Sequence, residues 1–397
     1  MKKLMSLGGN FFQATIVKAA KRLGYYVISV DYLPNNPAHR FADEYHCIST
    51  LDKDSILKLA RKKNIDGIVS YASDVSAPTA AYVAETLGLQ TNPLETIISM
   101  TRKDLFHPIL HKNNFIVPNN EVIKNIEDTY RFFIENNEDI LIKPVNSSGS
   151  KGVTRVKHRD DIEKSFEEAK KYSRGDVIIA EKFIERDGYQ IAGDAFIIDG
   201  EIRIFALANE HFDKECNPLV PIGESFPVRL EDKKIEKAKM EIQRALNILG
   251  YKNGAVNLDF MFDKSGNVVI LELGPRNGGN LITDAFLLSS GIDLAEYTAK
   301  LAVGDDVSNL HDVKMRKCFS SYIWHSIKDG KYEDFRITDE LNNKIVQSDL
   351  FVKKGDEIHR FDNGGFGIGA AILKFESEGE MLQMMDDMNK YYNVLLK

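Results

Sequence analysis

Two acidic residues on a predicted hairpin constrain this chain more than any other feature of its sequence. Residues 255–262 and 267–274 are rich in β-branched and aromatic residues, and a polar turn at 263–266 separates them. That pattern predicts two antiparallel strands joined by a tight turn. Each strand carries one carboxylate within a largely apolar run, Asp259 in the first and Glu272 in the second.

The register of this hairpin decides whether the two carboxylates meet. If Phe262 pairs with Asn267, residue 259 faces residue 270 and residue 257 faces residue 272. Because strand side chains alternate between two faces, Asn257, Asp259 and Glu272 then share one face, with the carboxylates as diagonal neighbours. Two carboxylates so close repel each other unless a cation lies between them, and rigid oxygen ligands suit Mg²⁺. A polar strand face in contact with water is the alternative.

A glycine-rich segment after the second strand favours the metal site. Residues 274–279 read Gly-Pro-Arg-Asn-Gly-Gly. Arg276 follows the carboxylate strand directly, and glycines allow backbone N–H groups to approach an anion. We therefore expect phosphate oxygens and a metal ion to meet beside this hairpin.

Length and charge exclude several classes of protein. A chain of 397 residues suggests two or three domains, and a net charge of -7 argues against a nucleic-acid-binding surface. Cys47, Cys216 and Cys318 are far apart and lack Cys-x-x-Cys spacing, which indicates a reducing compartment and no zinc site. No apolar run approaches the roughly 18 residues of a membrane span, and the N-terminal apolar stretch is too short for a signal peptide. The sequence predicts a cytoplasmic protein that does not bind membranes.

The order of predicted strands and helices divides the chain into three stretches. Residues 1–100 alternate strand and helix, which predicts an α/β domain with a doubly wound parallel sheet. Residues 101–305 have an α+β pattern, with a lid subdomain at about 115–185. Residues 306–397 predict a small β-rich domain that ends in a helix at 377–392, whose methionines we expect in the core.

The first stretch also invites comparison with dinucleotide-binding folds. Gly8 and Gly9 follow the first predicted strand, and Asp31 ends the second. The spacing of Gly-x-Gly-x-x-Gly is not met, because its last glycine would fall near Gln13. We expect a scaffold here rather than a cofactor site.

Two features of residues 140–152 suit a phosphate group. Lys143 lies in the apolar strand 140–144, where a lysine is costly to bury without an anionic partner; an edge-strand lysine in water is the alternative. The loop 146–152 combines serines, glycines and Lys151, so its backbone N–H groups can approach phosphate oxygens. It lacks the Gly-Lys-Ser/Thr of a Walker A loop, and an ordinary flexible hairpin loop is the other interpretation.

In their order, these motifs resemble the ATP-grasp superfamily. A lysine ahead of a helix, a strand lysine, a Ser/Gly loop, Glu-Lys-Phe-Ile at 181–184, and an acid followed by Glu-x-x-Pro-Arg occur in turn. The chain is similar over nearly its whole length to the branch that holds biotin carboxylase, the ATP-using purine-biosynthesis carboxylases and formyl ligase, and the L-amino acid ligases. The resemblance implies an N-terminal domain, a central ATP-grasp domain and a small C-terminal β domain.

The resemblance also implies roles for individual residues. Those implied to bind ATP are the phosphate-binding Lys103 and Lys143, the closing loop Ser147, Ser148, Gly149, Ser150 and Gly152, the adenine hinge Glu181, Phe183 and Ile184, and Gln190 near the ribose position. Asp259 and Glu272 match the metal carboxylates, with Asp replacing the commoner Glu at the first. Arg276 matches the arginine that contacts the transferred phosphate and the acyl phosphate.

One position departs from the family pattern. Relatives often carry a metal-binding asparagine two residues after the second carboxylate, where this chain has Gly274. Asn257 or Asn277 is then the substitute, or one metal ion is held more loosely.

Substrate contacts are expected on either side of the metal site. Gly278, Gly279 and Asn280, together with Arg276, are expected near the acceptor carboxylate, because an arginine can hold an anion through two hydrogen bonds. Asn209, Glu210 and His211 are candidate contacts for the nucleophile, with a structural histidine as the alternative for His211.

These assignments predict an ATP-dependent, ADP-forming ligase that uses Mg²⁺ or Mn²⁺. It would convert a small carboxylate into an acyl phosphate, which an amine attacks to form an amide or peptide bond. One alternative is a bicarbonate-dependent carboxylase component that forms carboxyphosphate, and another is a nucleotide-binding protein without activity. We expect small-molecule partners and, by the resemblance, a homodimer.

Overall fold

The computed structural model describes residues 1–145, 149–173, 175, 177–315 and 317–397. Within these residues the helices are α1 (Ala14–Arg22), α2 (Lys53–Lys63), α3 (Ala77–Leu87), α4 (Leu94–Thr101), α5 (Lys103–Lys112), α6 (Ile126–Glu135), α7 (Ile162–Tyr172), α8 (Asp232–Leu249), α9 (Ile282–Ser290), α10 (Leu294–Ala302), α11 (Asp339–Asn342) and α12 (Glu378–Asp386).

The described strands are β1 (Lys3–Leu7), β2 (Tyr26–Asp31), β3 (Glu44–Cys47), β4 (Gly67–Ser70), β5 (Asn120–Ile123), β6 (Ile140–Pro144), β7 (Thr154–Val156), β8 (Ile178–Lys182), β9 (Gln190–Ile198), β10 (Glu201–Phe212), β11 (Pro221–Phe226), β12 (Gly254–Phe262), β13 (Val268–Gly274), β14 (Cys318–Trp324), β15 (Gly330–Ile337), β16 (Ile345–Leu350), β17 (Glu357–Ile358), β18 (Gly369–Phe375) and β19 (Tyr392–Leu396).

The N-terminal stretch is a parallel sheet with helices on both faces, which confirms the predicted fold class. Its strand order is β3-β2-β1-β4, and every pairing is parallel. Neighbouring residues of β1 enter different cores: Leu4 packs with α1 and α10, whereas Met5 packs with α2 and α3. Alternation along a buried strand therefore places a layer of helices on each side of the sheet.

A larger antiparallel sheet forms the centre of the molecule, in the order β13-β12-β9-β10-β11-β14-β18-β16. Side chains such as Leu207 and Phe260 on one face pack on α8, and Phe196 on the other face packs on Phe286 of α9. Strands β14, β18 and β16 come from beyond residue 306, so the sheet continues across the predicted boundary at that residue.

A separate antiparallel sheet, in the order β5-β8-β6-β7, packs on α6 and α7. It lies within residues 120–182 and therefore inside the predicted lid at about 115–185. Lys143 sits on β6 of this sheet, whereas the carboxylate hairpin is formed by β12 and β13 of the central sheet. The candidate ligand-binding groups thus belong to two different sheets.

The C-terminal helix is shorter than predicted. Ser377 caps α12 by accepting a hydrogen bond from the Glu380 N–H, as the sequence suggested, but α12 ends at Asp386. The following residues form β19, which pairs with β15, because Tyr392 packs between Trp324 and Phe335. Aromatic contacts override the helical pattern there.

The methionine stripe is in the core as predicted: Met381, Met384, Met385 and Met388. Among the described residues, no helix is both long and apolar enough to cross a membrane.

One glycine of the central sheet gives a direct test of its close packing. Gly193 on β9 has φ +134, and a Cβ there would lie 2.0 Å from the Ala206 carbonyl oxygen on β10. We predict that Gly193→Ala lowers the free energy of unfolding by about 2 kcal/mol or more, through strain and overlap with backbone. Urea unfolding followed by circular dichroism measures this change.

The matched control is Gly266→Ala in the hairpin turn. Gly266 also has a positive φ (+75), but no atom lies within 4 Å of the added Cβ. Gly266→Ala should therefore lower the free energy of unfolding only by the cost of placing a side chain in a left-handed backbone conformation, about 1–2 kcal/mol. Equal losses in the two variants would contradict close packing at Gly193.

Candidate functional site

The carboxylate hairpin forms as predicted, but its register is different. Asp259 pairs directly with Glu272, and Phe262 pairs with Val268 rather than with Asn267. A bulge after Asp259 leaves Leu271 outside the ladder, and its carbonyl oxygen lies 3.0 Å from Nε2 of the buried His107. Residues directly opposite on one face are closer than diagonal neighbours, so the corrected register brings the carboxylates nearer together than expected.

Burial and mutual repulsion give the two acids different titration behaviour. Burial, followed by the negative charge of Glu272, raises the pKa of Asp259. Burial acts in the same direction on Glu272, but the nearby Lys103 outweighs it and lowers the pKa of that carboxyl. Additional positive charge beside Asp259 would therefore stabilise the ionised pair, and a divalent cation would supply it.

Both predicted phosphate-binding lysines are paired with acids. Lys103 begins α5, and its Nζ lies 2.5 Å from Oε2 of Glu272. Lys143 is nearly buried on β6 and forms an ion pair with Glu181 on β8. His107 is a second neighbour of this acid, with its Nδ1 3.2 Å from Oε1 of Glu181. Burial raises the pKa of Glu181, but Lys143 and His107 lower it by more. The net effect is a lowered pKa, so this acid is ionised.

Arg276 is held by an acid that the sequence analysis missed. Its Nε and NH2 groups donate to the two oxygens of Asp74 at 2.8 and 2.5 Å, and its NH1 group donates to Oδ1 of Asn257 at 2.8 Å. Asp74 follows β4 at the carboxyl end of a parallel sheet, where ligand-binding residues are common. That position was the available signal for Asp74.

Gly274 makes room for this pair. A Cβ at Gly274 would lie 2.9 Å from Oδ1 of Asp74 and 3.3 Å from the Arg276 guanidinium. The space next to Glu272 in which relatives place an asparagine is thus partly filled by an ion pair. The absence of an asparagine at position 274 therefore accompanies the contact between Asp74 and Arg276, which needs that space.

The two asparagines considered as replacement ligands serve a buried network instead. Asp194 accepts hydrogen bonds from Asn257, from Asn277 and from the Gly278 backbone N–H. Oδ1 of Asn277 accepts from Thr298 at 2.7 Å. In the described structure neither asparagine is hydrogen bonded to Asp259 or Glu272, so they orient Arg276 and the glycine segment rather than completing the carboxylate pair.

Gln190 and His211 lie in different environments. Nε2 of Gln190 donates to Oδ1 of Asp259 at 2.8 Å, so its side chain is next to the carboxylate pair. His211 lies within β10 rather than after it and is 1% exposed. Both of its ring nitrogens are engaged, one with Asp386 and the other with Ser225, which favours the structural alternative for this histidine.

The proposed loop and hinge lie near the lid sheet. Ser147 and Ser148 are outside the described residues. The carbonyl of Gly149 accepts from the Gly364 N–H at 2.9 Å, and Ser150 donates to the Leu219 carbonyl at 2.8 Å, so this part of the loop contacts the connection between β10 and β11 and the C-terminal stretch. Gly152 lies against Pro144 of β6. Phe183 and Ile184 follow β8, and the Arg155 guanidinium lies 3.3 Å from the Phe183 ring centroid.

Comparisons with known proteins agree with this arrangement. Residues 136–284 match the family described as the ATP-grasp domain, and they include Lys143, both hairpin carboxylates and Arg276. The predicted resemblance to the ATP-grasp superfamily is confirmed over this stretch of the chain. The predicted ATP-dependent ligase of the carboxylate–amine class agrees with these matches. A biotin carboxylase domain of Hydrogenobacter thermophilus, solved with MgADP and bicarbonate, has the same fold, with a TM-score of 0.76 at 16% identity over 100% of this chain and 91% of its own.

Relatives and solved structures cover most or all of the chain. The formate-dependent phosphoribosylglycinamide formyltransferase of Prochlorococcus marinus is 26% identical over 69% of this chain and 70% of its own. The L-amino acid ligase of Bacillus licheniformis has the same fold, with a TM-score of 0.82 at 20% identity over 100% of this chain and 99% of its own. Phosphoribosylglycinamide synthetase of Anaerococcus prevotii has a TM-score of 0.76 at 24% identity, over 100% of both chains.

The stability of the folded protein should depend on pH through Glu224, which is buried on β11. Burial raises its pKa from 4.5 to about 7, although Ser321 and Asn280 lower it by donating hydrogen bonds. Because the pKa of Glu224 is higher in the folded than in the unfolded state, its neutral carboxyl group stabilises the folded protein. This stabilisation is complete below pH 4.5 and is lost as the pH rises through about 7.

We predict that Glu224→Gln, which stays neutral, escapes this loss. Relative to the parent protein, its free energy of unfolding should rise by roughly 1–3 kcal/mol between about pH 5 and pH 8. Denaturant unfolding at both pH values measures the difference, with the exposed Glu201→Gln on the neighbouring strand as control. A pH-independent difference for Glu224→Gln would contradict ionisation of this residue.

Proposed function

We propose that Lys103 and Lys143 hold the phosphates of ATP, and that Asp259 and Glu272 hold Mg²⁺ against them. The observation that carries this proposal is the direct pairing of Asp259 with Glu272, with Lys103 alongside. Two opposed, partly buried carboxylates are stable only with positive charge nearby. Mg²⁺ in this position would neutralise phosphate oxygens as charge develops during transfer.

The proposed reaction joins a small carboxylate to an amine. Arg276 binds the acceptor carboxylate, and Gly278, Gly279 and Asn280 lie beside it, with the Gly278 N–H held by Asp194. The carboxylate attacks the terminal phosphate of ATP, ADP leaves, and the amine then displaces phosphate from the acyl phosphate. In the described structure the Arg276 guanidinium donates two hydrogen bonds to Asp74. The substrate carboxylate would take the place of Asp74, so Arg276 exchanges one anionic partner for another.

Nucleotide contacts elsewhere follow from the same arrangement. We assign the loop 147–152 to closure over the phosphates, and Glu181, Phe183 and Ile184 to the adenine hinge. The ion pair of Glu181 with Lys143 would keep the hinge and the phosphate site in register. Gln190 lies beside Asp259, which supports a place near the metal end of the nucleotide as well as near the ribose.

We also propose the domain division and assembly. Residues 1–100, 101–305 and 306–397 form the N-terminal, ATP-grasp and C-terminal parts, with the lid at about 115–185. The separate sheet of residues 120–182 supports the lid, since its core is distinct from that of the central sheet. The protein is proposed to act as a homodimer.

A phosphate-release screen tests the substrate class. Pairs of small carboxylates and amines are assayed with ATP and Mg²⁺, with formate among the acids because relatives are formate-dependent. Each pair is run with and without bicarbonate. We expect release that requires both a carboxylate and an amine; release that requires bicarbonate instead would support the carboxyphosphate alternative.

The metal role predicts the behaviour of Glu272→Gln. This change preserves size but removes a charge needed during phosphate transfer, so turnover should fall by at least about 100-fold, which corresponds to roughly 2.7–4 kcal/mol. Thermal unfolding should change little, because the glutamine can still accept from Lys103. Steady-state ADP formation with Mg²⁺ measures turnover, and Glu201→Gln serves as control. Near-normal turnover in a folded Glu272→Gln protein would refute the metal role.

The lysine role predicts the behaviour of a double variant. Lys143→Met alone leaves Glu181 buried with only His107 nearby, and breaking such a pair costs about 3–5 kcal/mol of stability. Adding Glu181→Gln removes the unpaired charge and should restore most of the stability. The double variant should still bind ATP about 10- to 100-fold more weakly, as measured by calorimetry. Normal ATP affinity in the folded double variant would contradict phosphate binding by Lys143.

A further inference from the structure

A second pair of acids lies on the same face of the central sheet as the proposed metal site. Glu210 on β10 pairs directly with Glu224 on β11. Gln190 pairs with Glu210 on the other side and donates to Asp259, so the polar row is continuous with the carboxylate hairpin. Directly opposite residues on one face of a sheet have Cβ atoms about 5 Å apart, which places the two acids within reach of one ligand.

Glu210 has one carboxylate oxygen without a hydrogen-bond partner among the described residues, although Gln190 is hydrogen bonded to its carboxyl group. It is 6% exposed, and its Oε2 accepts no hydrogen bond from any described residue. Its immediate sequence neighbours Asn209 and His211 are both bonded to Ser225, so they belong to the opposite face of the strand. A buried carboxylate oxygen without a donor is unfavourable, and it indicates a site for a group that donates hydrogen bonds.

The charges around Glu210 favour a cation. Asp259 and Glu224 are its acidic neighbours, and Arg186 is the cation that acts on it. The Arg186 guanidinium lies over the Phe212 ring, 4.7 Å from the centroid. Lys103 and Lys143 act on Asp259 at the other end of the row, so Arg186 is the positive group next to Glu210, and it already contacts an aromatic ring.

The segment opposite Glu224 is held in an unusual backbone conformation. Asn280 and Leu281 have φ values of 52 and 62, which side chains other than glycine rarely adopt. This conformation accompanies the contact of Nδ2 of Asn280 with Oε1 of Glu224, at 3.5 Å. Strained backbone of this kind is concentrated at ligand-binding sites.

We propose that Glu210 and Glu224 bind the ammonium group of a small cationic amine, which is the second substrate of the ligase. An ammonium group has three donors and no acceptor, which matches an unpartnered carboxylate oxygen beside a second acid. This inference rests on the proposed function, because it places the nucleophile at the end of the row away from Lys103 and Lys143. The bound ammonium group gives one proton to the carboxylate of Glu210, and the neutral amine nitrogen then attacks the acyl phosphate, from which phosphate leaves. An anionic nucleophile would be repelled at the same place.

A second divalent cation fits the pair less well. Ser321 donates to Oε2 of Glu224 at 2.6 Å and Asn280 is near its other oxygen, so Glu224 is already engaged by donors. Glu210 alone would then supply most of the protein oxygens, whereas Mg²⁺ requires an octahedral set of oxygen ligands. The arrangement therefore suits a donor group rather than a metal ion.

Calorimetry on the full chain tests the proposal without requiring turnover. The protein is saturated with Mg²⁺ and a non-hydrolysable ATP analogue, then titrated with glycinamide, ethylenediamine or L-alaninamide, and with the uncharged glycolamide. We expect a cationic amine to bind at least about 10-fold more tightly than glycolamide. Glu210→Gln and Glu224→Gln should each weaken that binding by at least about 10-fold, and Glu201→Gln should leave it unchanged.

The other outcomes each contradict a stated claim. If wild-type protein shows no preference for the cationic amines, or if both glutamine variants bind them normally, the ammonium site is wrong. If the variants lose affinity for Mg²⁺ in the same proportion, the pair is a metal site and the proposal is overturned. Thermal unfolding of each variant confirms that it is folded. Failure of carboxylate-dependent ADP formation, with ammonium binding intact, would instead refute the proposed ligase reaction.

Discussion

Buried ion pairs between distant parts of the chain determine the geometry of this cleft. Lys103 meets Glu272, Lys143 meets Glu181, and Arg276 meets Asp74. Each pair joins two elements of the structure, and the pair of Lys143 with the buried Glu181 is the most costly to break, because it would leave a charge unpaired and out of contact with water. Each cation is also one that we propose to bind an anionic group of ATP or of the carboxylate substrate. The cleft is therefore preorganised by internal acids that ligand phosphates and carboxylates can replace.

The site has an electrostatic direction as well as a shape. Lys103, Lys143 and Arg276 collect at one end, where anionic substrates are proposed to bind, and Glu210 and Glu224 lie at the other. Asp259 lies between them and is linked to both ends through Glu272 and Gln190. A carboxylate–amine ligase needs an anion and an amine side by side. One face of the central sheet carries the acids, and Lys103 of α5, Lys143 of the lid sheet and Arg276 supply the positive charge at one end of it.

The sequence could predict what depends on local pattern, but not what depends on contacts between distant residues. Alternation in β12 and β13 identified Asp259 and Glu272, and an isolated strand lysine identified Lys143. The hairpin register was wrong because the bulge at Leu271 is supported by His107 from α5. The partnership of Asp74 with Arg276 joins residues about 200 positions apart and depends on the missing side chain at Gly274. No local pattern encodes either contact.

The route of oxygen transfer tests the central claim most directly. The carboxylate and amine that support phosphate release are used again, with both carboxylate oxygens isotopically labelled, and the released phosphate is analysed by mass spectrometry. Activation as an acyl phosphate predicts that one labelled oxygen appears in inorganic phosphate for each amide formed, because the bridging oxygen leaves with the phosphate. Amide formation with unlabelled phosphate would contradict the account, since the carboxylate would not have attacked the terminal phosphate of ATP.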